Sequence, residues 1–597
     1  MVISHLLSTA RAQALAQFPA SSTAMTATEA IEAVGRASPA EAEPLCRQAE
    51  QAWSSSADPA WLMPWGLALW KLELYQPAAD VLQRGLPHLA GDANYQVLRG
   101  MVLRRVPGGI PQARQAYRAA LLLEPGRADG YYNLANLLLE DDPERAERTF
   151  RLSLDLDASN ASTWHNLGIS LNHQQRFEDA LPNLRISLRL NPLVADAWCN
   201  LGLAYFGLDQ FGPAMACFTH AIGLDESHGA SHINMGNALI SVLEPDQALT
   251  YLQRGVELES SSANSLWNLS LAYLLLGNFR QGWQYYEARF ATKNFENFHK
   301  PSVGPQPQSL QDCPTDPSQA PLLVWTEQGI GDAIQFGRYL HLLQAAGIHF
   351  RFTTRSSMLR LFADWFGFAD RVLEQPTSTN PQDSSPQIAL LSLPNMFGTE
   401  LETVPNTVPY IAPPGPTPES LLVPLPPGGL AVGLVWASNP DNKAMYRSKS
   451  MPLALLMPRL LDLLDLDLID LHCFQFGADN AQLDPWRSHE RITDWSDRLA
   501  DWSDTAHVVR QLDLVISVDT GLAHLAGALN RPTWLLLPAN ADFRWLKDRN
   551  DCPWYPSMRL FRQAQIGDWQ GLVQQVHRAF DELFLLDLEA LSTATLH

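Results

Sequence analysis

The sequence predicts an α-helical repeat solenoid followed by two α/β halves. A pattern of apolar and small residues recurs every 34 residues through the first 290 positions, which is typical of stacked helical hairpins. Two proline-rich stretches, within 297–321 and 413–427, disfavour regular helix and separate the segments around them. After each stretch, short apolar runs end in turns that lead into helical patterns, which indicates alternating strands and helices.

The amino-acid composition indicates which kinds of partner and which cellular compartment to expect. The 597 residues are 46% hydrophobic and carry a formal net charge of −21, whereas proteins that bind nucleic acid or anionic membranes present dense Lys/Arg surfaces. Six cysteines without C-x-x-C spacing indicate reduced thiols and no zinc site. The start of the chain lacks a signal-peptide pattern, and no apolar run reaches membrane-spanning length. We therefore expect a soluble cytoplasmic protein with no nucleic-acid partner and no transmembrane segment.

The repeat register is clearest over four consecutive units. The first helix of a unit carries a pattern such as Trp164-x-x-Leu167-Gly168, which returns 34 residues later as Trp198-x-x-Leu201-Gly202. Small residues recur where the two helices of a unit approach closely: Ala180, Ala214, Ala248 and Gly282. A larger residue follows each of them four positions later: Leu184, Phe218, Leu252 and Tyr286. This order resembles the tetratricopeptide repeat, which implies a right-handed solenoid with a concave groove.

One amide side chain returns in five successive units: Asn133, Asn166, Asn200, Asn234 and Asn268. In stacked units these amides would form a ladder along the groove, and an amide can both donate and accept hydrogen bonds with a peptide main chain. The row resembles the repeat arm of O-linked N-acetylglucosamine transferases, which implies that it grips a protein or peptide acceptor. The alternatives are binding of some other partner and plain bonding between repeats.

An α/β region follows the first proline cluster. Leu322–Trp325 is predicted as a buried strand, and the Gly329-Ile330-Gly331-Asp332 turn leads into an amphipathic helix. After the second cluster, the strand Val432–Trp436 opens a second series of strands and helices. Two such halves imply a cleft that the ends of both sets of strands face. The predicted segments are the repeats (1–296), a linker (297–320), the first half (321–411), a second linker (412–429) and the second half (430–597).

Three loops would meet in this cleft. In the first, Asp332 stands at a helix start, where the dipole favours a carboxylate that can accept a proton from a hydroxyl; helix capping is the alternative. In the second, Lys443, Arg447 and Lys449 are suited to neutralising phosphate, although a run of charges can equally be a solvated surface.

The third loop is Asp519-Thr520-Gly521, between an apolar strand and a helix. The helix start offers backbone N–H groups to an anion, and Gly521 would let the anion approach closely. His524 lies one turn further along, where its ring could reach a diphosphate. The alternative is a structural turn in which Thr520 caps the helix and His524 is a satisfied polar neighbour.

The order G-I-G-D, G-L-V-W-A-S-N-P and D-T-G-L-A-H-L resembles the heptosyltransferase-type enzymes of glycosyltransferase family 9, over about residues 321 to 597. The resemblance implies a two-Rossmann GT-B fold with the acceptor on the first half and the nucleotide sugar on the second. It also implies sugar transfer from a nucleoside-diphosphate sugar, with inversion and with neither metal nor cofactor. Asp332 would be the base, and the donor site would comprise Gly331, Asn439, Lys443, Arg447, Asp519, Thr520, Gly521 and His524.

The sequence also departs from the family pattern. Ala444-Met445-Tyr446 interrupts the basic loop, which puts the phosphate contacts in doubt. The competing hypothesis is an interaction scaffold in which the repeats recruit partners and the transferase-like region has lost its chemistry. Asp465-Leu466-Asp467 is similar to the D-x-D of metal-dependent transferases, but its place at the entry to an apolar strand favours a structural role.

Overall fold

The computed structural model describes residues 25–259, 262–292, 300–424, 429–440 and 443–584. The predicted segments 1–296, 297–320, 412–429 and 430–597 each extend in part outside these described residues. The chain forms two compact units, residues 1–224 and 225–597. No helix in the described ranges is both long and apolar enough to cross a membrane.

The first unit consists of helical hairpins. Its described helices, α1 to α12 in chain order, span Ala27–Arg36, Pro39–Ser56, Leu62–Lys71, Tyr75–Leu89, Ala93–Leu103, Ile110–Leu123, Ala128–Asn136, Pro143–Leu156, Ala161–His173, Phe177–Leu190, Ala195–Gly207 and Phe211–Leu224. The glycines of the repeat pattern allow the two helices of a hairpin to touch. A Cβ atom added to Gly168 would lie 2.5 Å from Leu184, and one added to Gly202 would lie 2.5 Å from Phe218. The predicted register thus pairs a small residue with a large one.

The second unit begins with two more hairpins. Helices α13 to α16 span Gly229–Ser241, Pro245–Leu258, Ala263–Leu275 and Phe279–Tyr286. The compact units therefore divide at 224/225, although the repeats continue beyond that point. Within the second unit, Phe279, Trp283 and Tyr286 of the last hairpin are buried in the same hydrophobic core as the α/β region.

The first α/β half, lobe 1, contains a four-stranded parallel sheet in the order β3-β2-β1-β4. Its elements are β1 (Leu322–Trp325), α17 (Ile330–Ala345), β2 (Phe350–Thr354), β3 (Val372–Glu374), β4 (Gln387–Ala389) and the short α18 (Leu393–Met396). All four residues of β1 are buried, as expected for an inner strand of a parallel sheet. Helix α17 carries the turn with Asp332 at its start.

The second half, lobe 2, contains a six-stranded parallel sheet in the order β10-β9-β8-β5-β6-β7. Its elements are β5 (Leu430–Val435), α19 (Lys443–Lys449), α20 (Met457–Asp465), β6 (Ile469–Cys473), β7 (Ile492–Asp494), α21 (Trp502–Val509), β8 (Leu514–Val518), α22 (Gly521–Ala528), β9 (Thr533–Leu537), β10 (Met558–Arg562) and α23 (Trp569–Leu583). Strands β6 and β7 follow β5 on one side of the sheet, and β9 and β10 follow β8 on the other, so the strand order reverses between β5 and β8. Ligands of such sheets bind at this switch point, outside the carboxyl ends of the strands.

The predicted fold class is confirmed: helical repeats precede two α/β lobes of GT-B-like arrangement. The lobes touch where α17 packs against α22. A Cβ atom added to Gly331 in the first turn of α17 would lie 2.6 Å from the ring of His524 in α22. The starts of these two helices, and the loops that precede them, are thereby brought together.

Candidate functional site

Charged side chains from both lobes converge at the carboxyl ends of their strands. Asp332 lies in the turn after β1, Lys449 in the segment after β5, Asp519 directly after β8 and Arg544 after β9. We call these four residues, together with Asp542 and His524, the interlobe cluster. It lies at the switch point of the lobe 2 sheet, where β5 and β8 pair side by side.

Asp332 joins the two lobes. Its Oδ2 atom accepts a hydrogen bond of 2.9 Å from the backbone N–H of Gly329, and its Oδ1 atom accepts one from Arg544 Nη2. Asp332 therefore caps the start of α17, as in the capping alternative, and the same carboxylate contacts lobe 2. The side chain of Asp332 is 18% exposed, so solvent reaches part of the carboxylate.

Arg544 is buried between two carboxylates. Its Nη1 atom donates to Asp542 Oδ1 at 2.6 Å, while Nη2 donates to Asp332. Burial would lower the pKa of Arg544, but the carboxylates of Asp332 and Asp542 outweigh burial and raise it above its usual range. The guanidinium is therefore a fixed positive charge that holds the start of α17 against the loop after β9.

Lys449 and Asp519 form a second buried ion pair. Lys449 Nζ lies 2.5 Å from Asp519 Oδ2. Burial would raise the pKa of Asp519, but the positive charge of Lys449 prevails and lowers it to about 2. Burial likewise opposes the charge on Lys449, and the carboxylate of Asp519 nevertheless raises the pKa of this ammonium group. The pair ties the basic segment to the turn after β8.

His524 is buried and makes polar contacts within the protein. Its Nδ1 lies 3.1 Å from Tyr555 Oη, its Nε2 lies 3.9 Å from Asp519 Oδ1, and its ring stacks on Trp545. Burial lowers the pKa of His524 to about 3, with Asp519 opposing the shift and Arg544 adding to it. The ring is thus neutral near pH 7, which agrees with the structural alternative of a satisfied polar neighbour.

The start of α22 is partly covered by apolar side chains. Thr520 occupies the N-cap position of α22, as in the structural alternative, but its hydroxyl lies 2.9 Å from Ser517 Oγ and makes no capping bond to a backbone N–H of the helix. A Cβ atom added to Gly521 would lie 2.8 Å from Trp502 and 3.2 Å from Ile330. The glycine therefore allows close packing between these segments.

The basic segment presents its cations in two directions. Asn439, Lys443 and Arg447 are exposed, whereas Lys449 turns inward to Asp519. Lys443 and Arg447 have no ion-pair partner among the described residues, and a spacing of four places them on one face of α19. Tyr446, from the interruption of the basic pattern, donates a 2.8 Å hydrogen bond to Asp479 and so anchors this helix.

Sequence reasoning assigned no role to Asp542, Arg544 or Tyr555. Asp542 and Arg544 lie in the loop that follows the buried strand β9, and that position was the available signal, although Asp519 stands closer to the end of its own strand, β8. Tyr555 carried no comparable signal, because only the folded chain brings its hydroxyl to His524.

The asparagines of the repeats make bonds inside the protein. In the first unit, Asn133 and Asn200 donate to the backbone oxygens of Asp129 and Asp196 within their own helices, both at 2.8 Å. Asn166 donates to Asn136 Oδ1 of the preceding repeat at 2.7 Å. In the second unit, Asn234 and Asn268 are half-buried. The bonds of Asn133, Asn166 and Asn200 support the alternative of bonding within and between repeats.

The acidic pair near β6 has surface partners. Asp465 lies 3.3 Å from His489, and Asp467 lies 3.0 Å from Arg491. Within the ranges the structure describes, no group of three or more His, Cys, Asp or Glu side chains is arranged to hold a metal ion.

Comparisons with known proteins find a family model that matches a segment of each region. A tetratricopeptide repeat model matches residues 195–228, and the model of glycosyltransferase family 9 (heptosyltransferase) matches residues 501–537, which include Asp519, Thr520, Gly521 and His524. Protein FlbA of Caulobacter vibrioides is 25% identical over 511 residues, which cover 80% of this chain and 82% of FlbA.

Further relatives match shorter parts of this chain. Type IV pilus assembly protein PilF of Pseudomonas aeruginosa is 34% identical over 96 residues, 16% of this chain and 37% of PilF. A solved structure of that pilF product covers 34% of this chain and 92% of its own, with 24% identity and a TM-score of 0.30. YrrB, described as a tetratricopeptide protein with an unusual peptide-binding site, covers 32% and 97%, with 21% identity and a TM-score of 0.27.

The described fold and the matched segments together show that the chain is similar to tetratricopeptide-repeat proteins in its helical part and to the heptosyltransferases of glycosyltransferase family 9 in its C-terminal region.

Proposed function

We propose that this protein is a glycosyltransferase that moves a sugar from a nucleoside-diphosphate sugar to an acceptor hydroxyl, with inversion and without a metal ion. The observation that carries the proposal is the interlobe cluster. Asp332 of lobe 1 meets Arg544 of lobe 2 at the carboxyl ends of two parallel sheets, beside the buried Lys449–Asp519 pair. The family 9 match covers the turn that contains Asp519.

Asp332 is the proposed base. The acceptor oxygen forms a bond to the anomeric carbon while the bond from that carbon to the diphosphate oxygen breaks, and the acceptor proton passes to the carboxylate. Each carboxylate oxygen of Asp332 accepts one hydrogen bond. A carboxylate has about four acceptor positions, so each oxygen keeps one position that can take the proton of the acceptor hydroxyl. The anchoring by Gly329 and Arg544 fixes the carboxylate in one orientation, which favours proton transfer.

The leaving diphosphate carries the negative charge that must be stabilised. Lys449 is engaged with Asp519, whereas Lys443 and Arg447 are exposed on one face of α19. We assign Lys443, Arg447 and the backbone N–H groups at the start of α22 to the diphosphate, with Asn439 beside them. Fixed cations and helix N–H groups stabilise such charge at little reorganisation cost.

The repeats are the proposed site for recruiting the acceptor, which in this proposal is a protein or peptide. Because the engaged amides of Asn133, Asn166 and Asn200 leave mainly their carbonyl oxygens for a partner, we expect acceptor backbone N–H groups to be the recognised feature. The same proposal places the protein in the cytoplasm, where a nucleotide-sugar substrate is available.

A binding screen tests the donor assignment. The full chain is titrated with UDP-, GDP- and ADP-sugars, and a ligand at 100 times its Kd is expected to stabilise the protein by about 2.7 kcal/mol. Lys443→Ala and Arg447→Ala are expected to weaken binding of the successful donor, while Arg254→Ala, on an exposed repeat ion pair with Glu257, is the matched control. If both site variants bind the donor as tightly as the wild type, α19 is not part of the donor site.

The second candidate is an interaction scaffold without transferase activity. The observation in its favour is the covering of Gly521 by Trp502 and Ile330, which narrows access to the start of α22. A scaffold predicts that none of the three classes of nucleotide sugar binds, whereas a transferase predicts that one of them does.

A further inference from the structure

The last helical hairpin reaches the two segments that carry Asp332 and Arg544. Helix α16 ends at Tyr286, and a single 3₁₀ turn follows, Glu287–Ala291. Tyr286 is 1% exposed, and its hydroxyl accepts a hydrogen bond of 2.8 Å from Gln328 Nε2. Gln328 directly precedes Gly329, whose backbone N–H holds the Asp332 carboxylate. Tyr286 of the last repeat therefore binds the residue next to Gly329, which anchors the proposed base Asp332.

A buried ion pair makes a second connection to the same loop. Arg289 and Glu327 are both fully buried, and Arg289 Nη2 donates to Glu327 Oε1 at 2.8 Å. Arg289 also donates to Glu287 at 2.9 Å and to Ser392 Oγ at 2.8 Å. Glu327 Oε1 accepts a further bond from the backbone N–H of Leu391, after β4. Arg289 thus joins the 3₁₀ turn of the repeat to the loops after β1 and β4.

Aromatic contacts connect the same hairpin to the loop after β9. The rings of Trp283 and Tyr286 lie 5.7 and 6.0 Å from the ring of Phe543. The guanidinium of the next residue, Arg544, lies over the Phe543 ring at 4.6 Å. Edge-to-face contacts of this kind fix the mutual orientation of rings. Phe543 therefore cannot move away from the hairpin without moving Arg544.

We propose that Tyr286 and Arg289 of the last repeat are positioning residues of the transfer site, which set the loop after β1 and the loop after β9 so that Asp332 and Arg544 meet. This inference rests on the proposed function. It assigns the last repeat to the catalytic unit rather than to partner recruitment. Positioning by a few hydrogen bonds matters because a displacement of about 1 Å in a reacting group can cost about 100-fold in rate.

The first test compares two tyrosines with the same kind of bond. Tyr286→Phe removes the partner of Gln328, and Tyr273→Phe removes the partner of Gln253 Nε2, which lies 2.9 Å from Tyr273 Oη on the repeat surface. We expect Tyr286→Phe to lower donor turnover by about 10-fold or more, with donor Kd within about twofold of the wild type. Tyr273→Phe is expected to leave turnover unchanged. Equal turnover in the two variants would overturn the inference.

The second test uses charge rescue at Arg289. Arg289→Met leaves Glu327 without its cation and is expected to reduce turnover strongly, whereas Arg289→Lys keeps a positive charge near Glu327 and should retain more activity. Equal losses in both variants at equal thermal stability would contradict a positioning role, because charge near Glu327 would then be irrelevant to turnover.

A third measurement does not depend on activity. Hydrogen exchange of backbone amides in residues 326–332 and 542–546 is expected to accelerate in Tyr286→Phe and to stay at the wild-type rate in Tyr273→Phe. Unchanged exchange in both variants would refute the inference even if no donor is ever turned over. Absence of donor turnover in the wild type, together with accelerated exchange in Tyr286→Phe, would instead refute only the proposed function.

Discussion

Replacing Arg544 by methionine tests the central ion pair of the site. The substitution removes the cation from two carboxylates, Asp332 and Asp542, each with 18% of its side chain exposed. Breaking a buried pair by removing one partner typically costs about 3 to 5 kcal/mol. Because water can partly reach both carboxylates, we expect the lower end, about 3 kcal/mol. For a unit as large as residues 225–597 this corresponds to a fall of about 4 °C in its unfolding midpoint.

The assay is thermal or urea unfolding of the full chain, followed by tryptophan fluorescence. Arg280→Met is the matched control, because Arg280 pairs with Glu400 on the surface, with 74% and 39% of the two side chains exposed. Exposed pairs contribute about 0 to 1 kcal/mol, so the control should change little. In the double variant Arg544→Met/Asp332→Asn, part of the loss should be recovered, since one unpaired carboxylate is gone. Equal effects of Arg544→Met and Arg280→Met would refute the reasoning.

Three further variants follow from the described contacts. The pKa of His524 is about 3 in the folded protein, so the wild type should lose stability as the pH falls below 6.5, by about 2 kcal/mol at pH 5. His524→Asn should remove this pH dependence, which urea unfolding at several pH values would measure. Lys449→Met should raise the pKa of Asp519, measurable by NMR titration, because the cation 2.5 Å away is lost. Gly202→Ala should destabilise the first unit by about 1 to 3 kcal/mol in unfolding experiments, since the methyl group would lie 2.5 Å from Phe218.

Each of these expectations has a contrary outcome. Parallel pH profiles of the wild type and His524→Asn would mean that folding does not lower the pKa of His524. An Asp519 pKa that stays near 2 in Lys449→Met would show that another group lowers it. For Gly202, the control is Gly223→Ala in α12, where nothing lies within 4 Å of the added methyl group and a gain of about 1 kcal/mol is expected. A similar effect of both substitutions would contradict the close packing of the hairpin.

The repeats and the alternating strands could be predicted because their signals are local and recur. The 34-residue period shows directly where a glycine meets a large side chain, and the Gly202–Phe218 contact follows from it. The Asp519 turn was similarly predictable, since an apolar strand, a turn and a helical pattern stand in order along the chain.

Features that depend on the packing of separate segments could not be predicted. Arg544 is a single arginine in a loop, and its role appears only when α17 of lobe 1 is placed beside it. Among the three cations of α19, the orientation of the helix decides that Lys449 turns inward while Lys443 and Arg447 stay exposed. The amide of Asn166 bonds to Asn136, a partner that the register of stacked repeats provides and that composition does not reveal.

The compact units also differ from the predicted segments for a physical reason. The proline-rich stretch after residue 296 marks the end of the helical repeats, but it does not mark the edge of the packed core. Trp283 and Tyr286 pack on Phe543, so the last hairpin joins the α/β region before the proline stretch begins. Proline content indicates where helices end, whereas the burial of aromatic side chains decides which elements form one unit.

Donor turnover by Asp332→Asn, measured beside donor Kd, tests the proposed transfer site most directly. The amide keeps the size of the carboxylate but cannot take the acceptor proton, and general base catalysis contributes about 100-fold to 10,000-fold. We predict that release of nucleoside diphosphate falls by at least about 100-fold while the donor binds with nearly unchanged Kd. Wild-type turnover by Asp332→Asn, or a wild-type chain that binds no nucleotide sugar, would contradict the account.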